Sequence, residues 1–144
     1  MAVVIRPCRP DESEALLDLW QHADASPSPT DTPEQVGEVV RDPAATVLVA
    51  VDRDLLVGSI IGAWDGWRGN IYRLAVLPSY RRRGIGRALV TAVEERLAER
   101  GARRISALVE HDHPWAVGFW SSLYEPDPCM LRYVKKVEPT RRPS

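Results

Sequence analysis

The chain has 144 residues, of which 44% are hydrophobic and 27% are charged, and its formal net charge is -1. This length suits one compact domain with a sizeable core, and the charge gives no reason to expect bulk capture of nucleic acid or a membrane surface. No apolar run approaches the roughly 20 residues of a membrane span, and Arg6 interrupts the apolar N-terminus, so we expect no secretory signal.

Periodic apolar residues, separated by proline- and glycine-containing turns, predict the elements in chain order. Leu16, Leu19, Trp20 and Ala23 are spaced as on one helix face, and Thr32 has the character of a helix N-cap followed by proline. The predicted strands cover residues 2–7, 46–52, 55–64, 69–78, 103–110 and 129–137, and the predicted helices cover residues 11–24, 33–40, 84–101 and 114–124.

The order of these elements predicts the fold class. Antiparallel strands come first, and a βαβ crossover on the longest helix follows them. This order is typical of an α+β (α/β) sheet with helices on both faces. We expect a single domain at residues 1–138 and a polar tail at residues 139–144.

The cysteine and histidine spacings give little reason to expect a metal or a disulfide. Cys8 and Cys129 are too few for a disulfide framework and fit no zinc pattern. We interpret both as buried or half-buried thiols in a reducing cytosol, and we therefore expect a cytoplasmic protein. His111 and His113 have a ligand-like spacing, but no third ligand accompanies them, so we expect no metal.

The stretch RLAVLPSYRRRGIGRALV, residues 73–90, combines cations, glycines and a helix start. The first amides of a helix lack partners, and its dipole is positive there. Glycines allow close approach of an anion, and arginines add forked donors, so the stretch suits phosphate or pyrophosphate. The Lys-Ser/Thr pair of a P-loop is absent, and Leu89 stands where the Rossmann fingerprint has its third glycine. A solvated basic turn is the alternative.

LAVLPSYRRRGIGRAL resembles the acetyl-CoA-binding motif of the GCN5-related N-acetyltransferases (GNAT), with the core Arg-x-x-Gly-x-Gly at residues 81–86. The preceding strand with Pro78 and Tyr80 matches as well, and HPWAVGFWSSLYEP resembles the second cofactor motif of that family. The resemblance covers nearly the whole chain. It implies a GNAT-like mixed, mostly antiparallel, splayed sheet of roughly six to seven strands with helices on both faces.

The resemblance also implies where acetyl-CoA binds. In this family the strand that carries Leu74 to Val76 has a bulge and separates from the next strand, so that the pantetheine arm fills the gap like an added strand. A backbone N–H, that of Val76, would stabilise the oxyanion. The implied cofactor-binding residues are Leu74, Ala75, Val76, Arg81, Arg82, Arg83, Gly84, Ile85, Gly86, Arg87, Ala88, His113, Ala116 and Phe119.

The catalytic and acceptor residues are less well defined. Trp120 stands where the family often has a tyrosine that acts as the general acid, so Tyr124, one turn later, is the candidate acid. Glu110 and His111 are the candidate general bases. Each also suits a plain structural or solvated role, and a water chain is a further route for the proton. Trp64, Trp67 and Asn70 are the candidate substrate-binding residues.

The function implied is transfer of the acetyl group of acetyl-CoA to a primary amine, by direct attack in a ternary complex. The amine belongs to a small molecule, a protein N-terminus or a lysine. One alternative is a CoA-binding sensor or scaffold of the same fold without turnover. Another is a basic-patch binder of RNA or phosphopeptides, which the net charge disfavours. Exposed sheet edges would allow a homodimer.

Overall fold

The computed structural model describes residues 3–138, in which helices and strands follow one another nearly as predicted. The start of the first predicted strand at Ala2 and the predicted tail at residues 139–144 lie outside the described residues. Single 3₁₀ turns precede α1 and follow β4. The elements are β1 (Val3–Pro7), α1 (Ser13–His22), α2 (Pro33–Arg41), β2 (Ala45–Asp52), β3 (Leu55–Trp64), β4 (Gly69–Val76), α3 (Ile85–Arg100), β5 (Ile105–Ala107) and α4 (Pro114–Ser121).

The strands form one five-stranded sheet in the order β1-β2-β3-β4-β5. β1 to β4 pair antiparallel in sequence, and β5 joins β4 in parallel through the α3 crossover. The mixed α+β class and the mostly antiparallel sheet are therefore confirmed. None of the helices in residues 3–138 combines the length and apolarity needed to cross a lipid bilayer.

The predicted strand at residues 129–137 is wrong, and the sheet has five strands where six to seven were expected. The apolar residues of this segment do not alternate strictly, because Met130–Leu131 and Tyr133–Val134 are adjacent pairs. Leu131 is 77% exposed and Tyr133 is 89% exposed. The neighbouring edge strand β5 pairs over only three residues, so it offers a short template for a further strand.

The sheet is covered on both faces, as predicted. Leu16, Leu19 and Trp20 of α1 pack with α2 against one face, and the stripe of α3 packs against the other. Leu89 and Val93 are 0% exposed, so the predicted helical stripe is core. Cys8 is also buried, but Cys129 is exposed in the irregular segment, so a buried or half-buried thiol is wrong there.

Two predicted helix ends are also confirmed, the start of α2 and the end of α3. Thr32 caps α2, since its Oγ1 accepts a hydrogen bond of 3.2 Å from the Gln35 N–H, and Pro33 occupies the first turn. α3 ends at Gly101, whose φ of +111° suits glycine because other residues rarely adopt it. Local sequence chemistry therefore sets the bounds of the elements that surround the sheet.

α3 lies so close to the sheet that two strand positions have no room for a side chain. A Cβ at Gly62 of β3 would overlap Val93 Cγ2, and one at Gly69 of β4 would lie 2.9 Å from Leu97 Cδ1. Both contacts involve residues of the α3 core stripe. These glycines therefore set the distance between α3 and the sheet.

We expect Gly62→Ala to lower the free energy of unfolding by about 1–3 kcal/mol, because the added methyl overpacks the α3 interface. In the double variant Gly62→Ala, Val93→Ala, the new methyl enters space that Val93 vacates. The double variant should therefore lose less stability than the sum of the losses of the two single variants. Urea unfolding of the two single variants and the double variant measures these losses. Gly118→Ala is the control, since nothing lies within 4 Å of its Cβ position in α4. A neutral Gly62→Ala, or strict additivity, would contradict this account of the close packing.

Candidate active site

β4 carries a bulge at Arg73 and Leu74. The ladder pairs Ser59 with Ala75 and Ile61 with Tyr72, so two residues of β4 face a single residue of β3. The φ of Arg73 is +53°, a left-handed conformation that is uncommon for any residue other than glycine. The bulge expected in this strand is therefore present.

β4 and β5 separate just before the bulge. Their parallel ladder covers Gly69–Ile71 and Ile105–Ala107, and it is followed by a bond of 3.2 Å from the Leu108 N–H to the Ile71 carbonyl. A cavity of about 620 Å³ extends from this opening to the loop between α1 and α2. That volume is within the usual range of small-molecule sites. Leu74 and Ala75 line one side of the opening, and Leu108 and Val109 line the other.

The direction of the Val76 amide follows from its neighbour. The Leu77 N–H donates to the Val57 carbonyl at 2.9 Å, which is towards β3. Successive peptide groups of a strand point to opposite edges. The N–H of Val76 therefore points away from β3, towards the opening between β4 and β5.

The start of α3 lies at the end of β4 and has no side-chain cap within residues 3–138. Its N-cap, Gly84, has a φ of +83°, and nothing lies within 4 Å of its Cβ position. The first hydrogen bond of the helix runs from the Ala88 N–H to the Gly84 carbonyl at 3.0 Å. The N–H groups before Ala88 therefore have no acceptor within the helix. The exposed side chains of Arg82 and Arg87 flank them. This combination suits an anion.

Arg81 has a different setting from the other arginines of the motif. Its Nε–H donates to the Val76 carbonyl at 2.9 Å, and Nη2 donates to the Ala23 carbonyl at 3.2 Å. Its guanidinium lies 4.7 Å from the centre of the Trp115 ring. Burial lowers the pKa of Arg81, and the nearby Asp24 opposes that shift. Arg81 therefore joins the end of β4 to α1 and α4, and its donors face the protein.

His113 caps α4 and reaches the same carbonyl. Its Nδ1 accepts a hydrogen bond of 3.2 Å from the Ala116 N–H, which assigns the proton to Nε2. Nε2 then donates to the Ala23 carbonyl at 3.3 Å. His113 and Ala116 both line the cavity. Phe119, which follows on α4, contacts Gly86, where a Cβ would lie 2.9 Å from its ring.

Two charged side chains hold the loop between α1 and α2 against the cavity. Glu110 accepts from the Ser26 N–H at 2.9 Å and from the Ser26 hydroxyl at 2.8 Å. Arg73 donates to the Ser26 carbonyl at 3.1 Å and to both carboxylate oxygens of Asp31 at 2.8 and 3.0 Å. Its guanidinium also lies 4.8 Å from the centre of the Trp20 ring. Ser26 is thus held from both sides.

The other candidate proton carriers lie outside the cavity. The side chain of His111 is 92% exposed and pairs with Asp112. The Tyr124 hydroxyl donates to Glu94 of α3 at 2.8 Å, and burial, together with this bond, raises the pKa of the phenol. Trp120 lines the cavity, as do Leu108 and Glu110, but His111 and Tyr124 do not.

The three candidate substrate residues lie at the opposite end of β4 from the α3 start. Asn70 pairs with Ala63 and Ser106, and Trp64 belongs to the core against α3. The side chain of Trp67 is 69% exposed, and Arg68 stacks on it. None of the three lines the cavity.

Sequence reasoning missed Tyr72 and Arg73, which both line the cavity. The available signal was the charged Arg73, next to Tyr72, in a predicted strand whose following residues are all apolar. Among residues 3–138 there is no group of three or more His, Cys, Asp or Glu side chains that could hold a metal ion.

Comparisons with known proteins agree on one family. A family model described as "Acetyltransferase (GNAT) family" matches residues 11–123. An acetyltransferase of Pectobacterium atrosepticum is 34% identical over 135 residues, which cover 93% of this chain and 96% of the relative.

Two solved structures share the fold. An aminoglycoside N-acetyltransferase in complex with CoA has a TM-score of 0.76 at 17% identity, covering 94% of this chain and 96% of that one. A ribosomal-protein-alanine N-acetyltransferase of Brucella melitensis has a TM-score of 0.73 at 18% identity, covering 94% and 100%.

We expect Arg81→Ala to lower the free energy of unfolding by about 1–3 kcal/mol, because the carbonyls of Val76 and Ala23 lose a charged donor. Arg82→Ala is the matched control, and we expect it to stay within about 0.5 kcal/mol, since its side chain is exposed. Urea unfolding without any ligand measures both. Equal effects of the two substitutions would mean that Arg81 does not join these elements.

Proposed function

The chain belongs to the acetyltransferase (GNAT) family, and we propose that it transfers the acetyl group of acetyl-CoA to a primary amine. The observation that carries this proposal is the opening between β4 and β5 next to the uncapped start of α3. The opening offers backbone groups to an extended, amide-containing arm, and the helix start offers amides to a diphosphate. Acetyl-CoA has both parts.

The opening between β4 and β5 and the start of α3 also indicate which residues would bind acetyl-CoA. The diphosphate would lie against the amides of residues 82–87, with the exposed arginines nearby. The pantetheine arm would lie along Leu74 to Val76, with His113 and Ala116 on the other side of the cavity. Arg81 and Phe119 would support this site through their contacts with Val76 and Gly86.

The proposed chemistry needs an oxyanion donor and a route for one proton. The amine nitrogen attacks the thioester carbonyl, the C–N bond forms and the C–S bond breaks, and CoA leaves as the thiolate. The Val76 N–H, directed into the opening, would stabilise the oxyanion. Glu110 and Asp31 are the two carboxylates that line the cavity, and Asp31 is paired with Arg73. We therefore assign the proton released by the amine to Glu110, directly or through water.

The acceptor would enter beside the loop between α1 and α2. The cavity wall there is rich in hydrogen-bonding side chains: Ser26, Ser28, Thr30, Asp31 and Gln35. Such a wall suits a polar amine, in a small molecule or at a protein N-terminus or lysine. We also propose that the protein is cytoplasmic and forms a homodimer.

A thiol-release assay with acetyl-CoA and a panel of amines tests the function. The panel should contain polyamines, aminoglycosides, amino acids and peptides with free N-termini. Turnover with at least one class supports the proposal. Tight CoA binding without turnover of any amine would instead favour the sensor or scaffold alternative.

We expect Arg87→Ala to raise the KM for acetyl-CoA roughly tenfold, because one charged contact with the diphosphate is lost. The effect should disappear with S-acetylpantetheine, which has no diphosphate. Arg96→Ala is the matched control, because it removes an exposed arginine farther along α3. An equal effect of Arg87→Ala on both donors would place the diphosphate elsewhere.

We expect Tyr124→Phe to leave kcat within about twofold of the wild type, because the phenol is bonded to Glu94 and its raised pKa makes it a poor proton donor. Stability should fall by about 1 kcal/mol with the lost hydrogen bond. Steady-state kinetics and urea unfolding measure the two effects. A tenfold loss of kcat at unchanged stability would restore Tyr124 as the acid.

A further inference from the structure

A buried hydroxyl lies directly beside the β4 bulge. Ser59 of β3 is 0% exposed, and its Oγ donates to the Arg73 carbonyl at 2.9 Å. The same oxygen accepts from the Trp20 indole N–H at 2.9 Å. α1 is thereby connected through β3 to the bulged residue of β4.

The direction of this hydrogen-bond chain is fixed by its two ends. An indole N–H can only donate and a carbonyl can only accept, so the single hydroxyl proton of Ser59 is committed to Arg73. Because its proton is committed to Arg73 and its side chain has no exposure to solvent, Ser59 is not available as a nucleophile or a proton carrier. Its role must lie in the backbone that it holds.

We propose that Ser59 is a positioning residue for acetyl transfer, which fixes the Arg73 carbonyl and so directs the backbone of Leu74 to Val76 into the opening. This inference rests on the proposed function. A bulge disrupts the regular ladder locally, so the peptide that follows Arg73 needs another support. The hydroxyl of Ser59 provides it from a neighbouring strand.

Trp20 strengthens the same arrangement from α1. Its indole N–H holds Ser59, and the face of its ring lies 4.8 Å from the Arg73 guanidinium. Trp20 is 4% exposed, so this support is embedded in the core. Both the carbonyl and the side chain of Arg73 are therefore held by groups outside β4.

The principal test is Ser59→Ala, with Val57→Ala as the matched control. Val57 is also 0% exposed and lies on β3, but its side chain packs in the α3 core. Three experiments are needed: urea unfolding, which gives the midpoint; steady-state kinetics under conditions where each variant is folded, which give kcat and KM; and NMR, which gives the ¹H–¹⁵N resonances of Leu74 to Val76.

We expect both variants to lose stability, but only Ser59→Ala to lose kcat, by at least tenfold, with shifted amide resonances at Leu74 to Val76. Ser59→Thr keeps the hydroxyl and should recover kcat to within about threefold of the wild type. If Ser59→Ala does not fold, Ser59→Cys takes its place. Its weaker donor should give an intermediate loss of kcat.

A kcat for Ser59→Ala within twofold of the wild type, or a parallel loss in Val57→Ala, would overturn the inference. If the wild type acetylates no amine in the panel, the proposed function has failed, but the role of Ser59 in positioning the backbone can still be tested by the amide resonances. Unmoved amides of Leu74 to Val76 in Ser59→Ala then overturn the positioning of the backbone, and shifted amides in Ser59→Ala alone support it.

Discussion

The separation of β4 from β5 after Ile71 is the constraint on which the rest of the molecule depends. A parallel pair that ends after three residues leaves peptide groups along both strands in need of partners. The cavity and the first turn of α4 adjoin this opening, and Arg81, which precedes α3, reaches the Val76 carbonyl at the end of β4. A fully paired β4 would have its amides bonded to β5, and no ligand could bind between them.

The protein satisfies the carbonyls around the opening with its own side chains. Arg81 bonds the Val76 carbonyl, Arg81 and His113 share the Ala23 carbonyl, and Ser59 bonds the Arg73 carbonyl. The amide of Val76 and the first amides of α3 are left directed outwards. The site therefore presents mainly donors, which suits a ligand whose phosphates and thioester carbonyl are acceptors.

The features that could be predicted from the sequence are those that depend on residues close together in the chain. The helical stripe, the cap at Thr32 and the glycine-rich start of α3 depend on neighbours in the chain, and all are present. The contact of Glu110 with Ser26 joins residues 84 positions apart, and no local pattern encodes it. The same applies to Arg81, whose role depends on which carbonyls the fold brings near it, and to residues 129–137, whose strand-like composition lacked an edge long enough to pair with.

Arg73 links the two halves of the site. Its carbonyl is held by Ser59 next to the opening between β4 and β5, and its guanidinium holds Asp31 and Ser26 of the loop that forms the other wall of the cavity. Acyl transfer is sensitive to the position of the two reacting atoms, since a misplacement of about 1 Å can cost roughly a hundredfold in rate. In the proposed arrangement, the backbone of Arg73 would orient the thioester and its side chain would place the acceptor wall, so that one residue would set the distance between donor and acceptor. Such a role would give the left-handed conformation of Arg73 a function at the site.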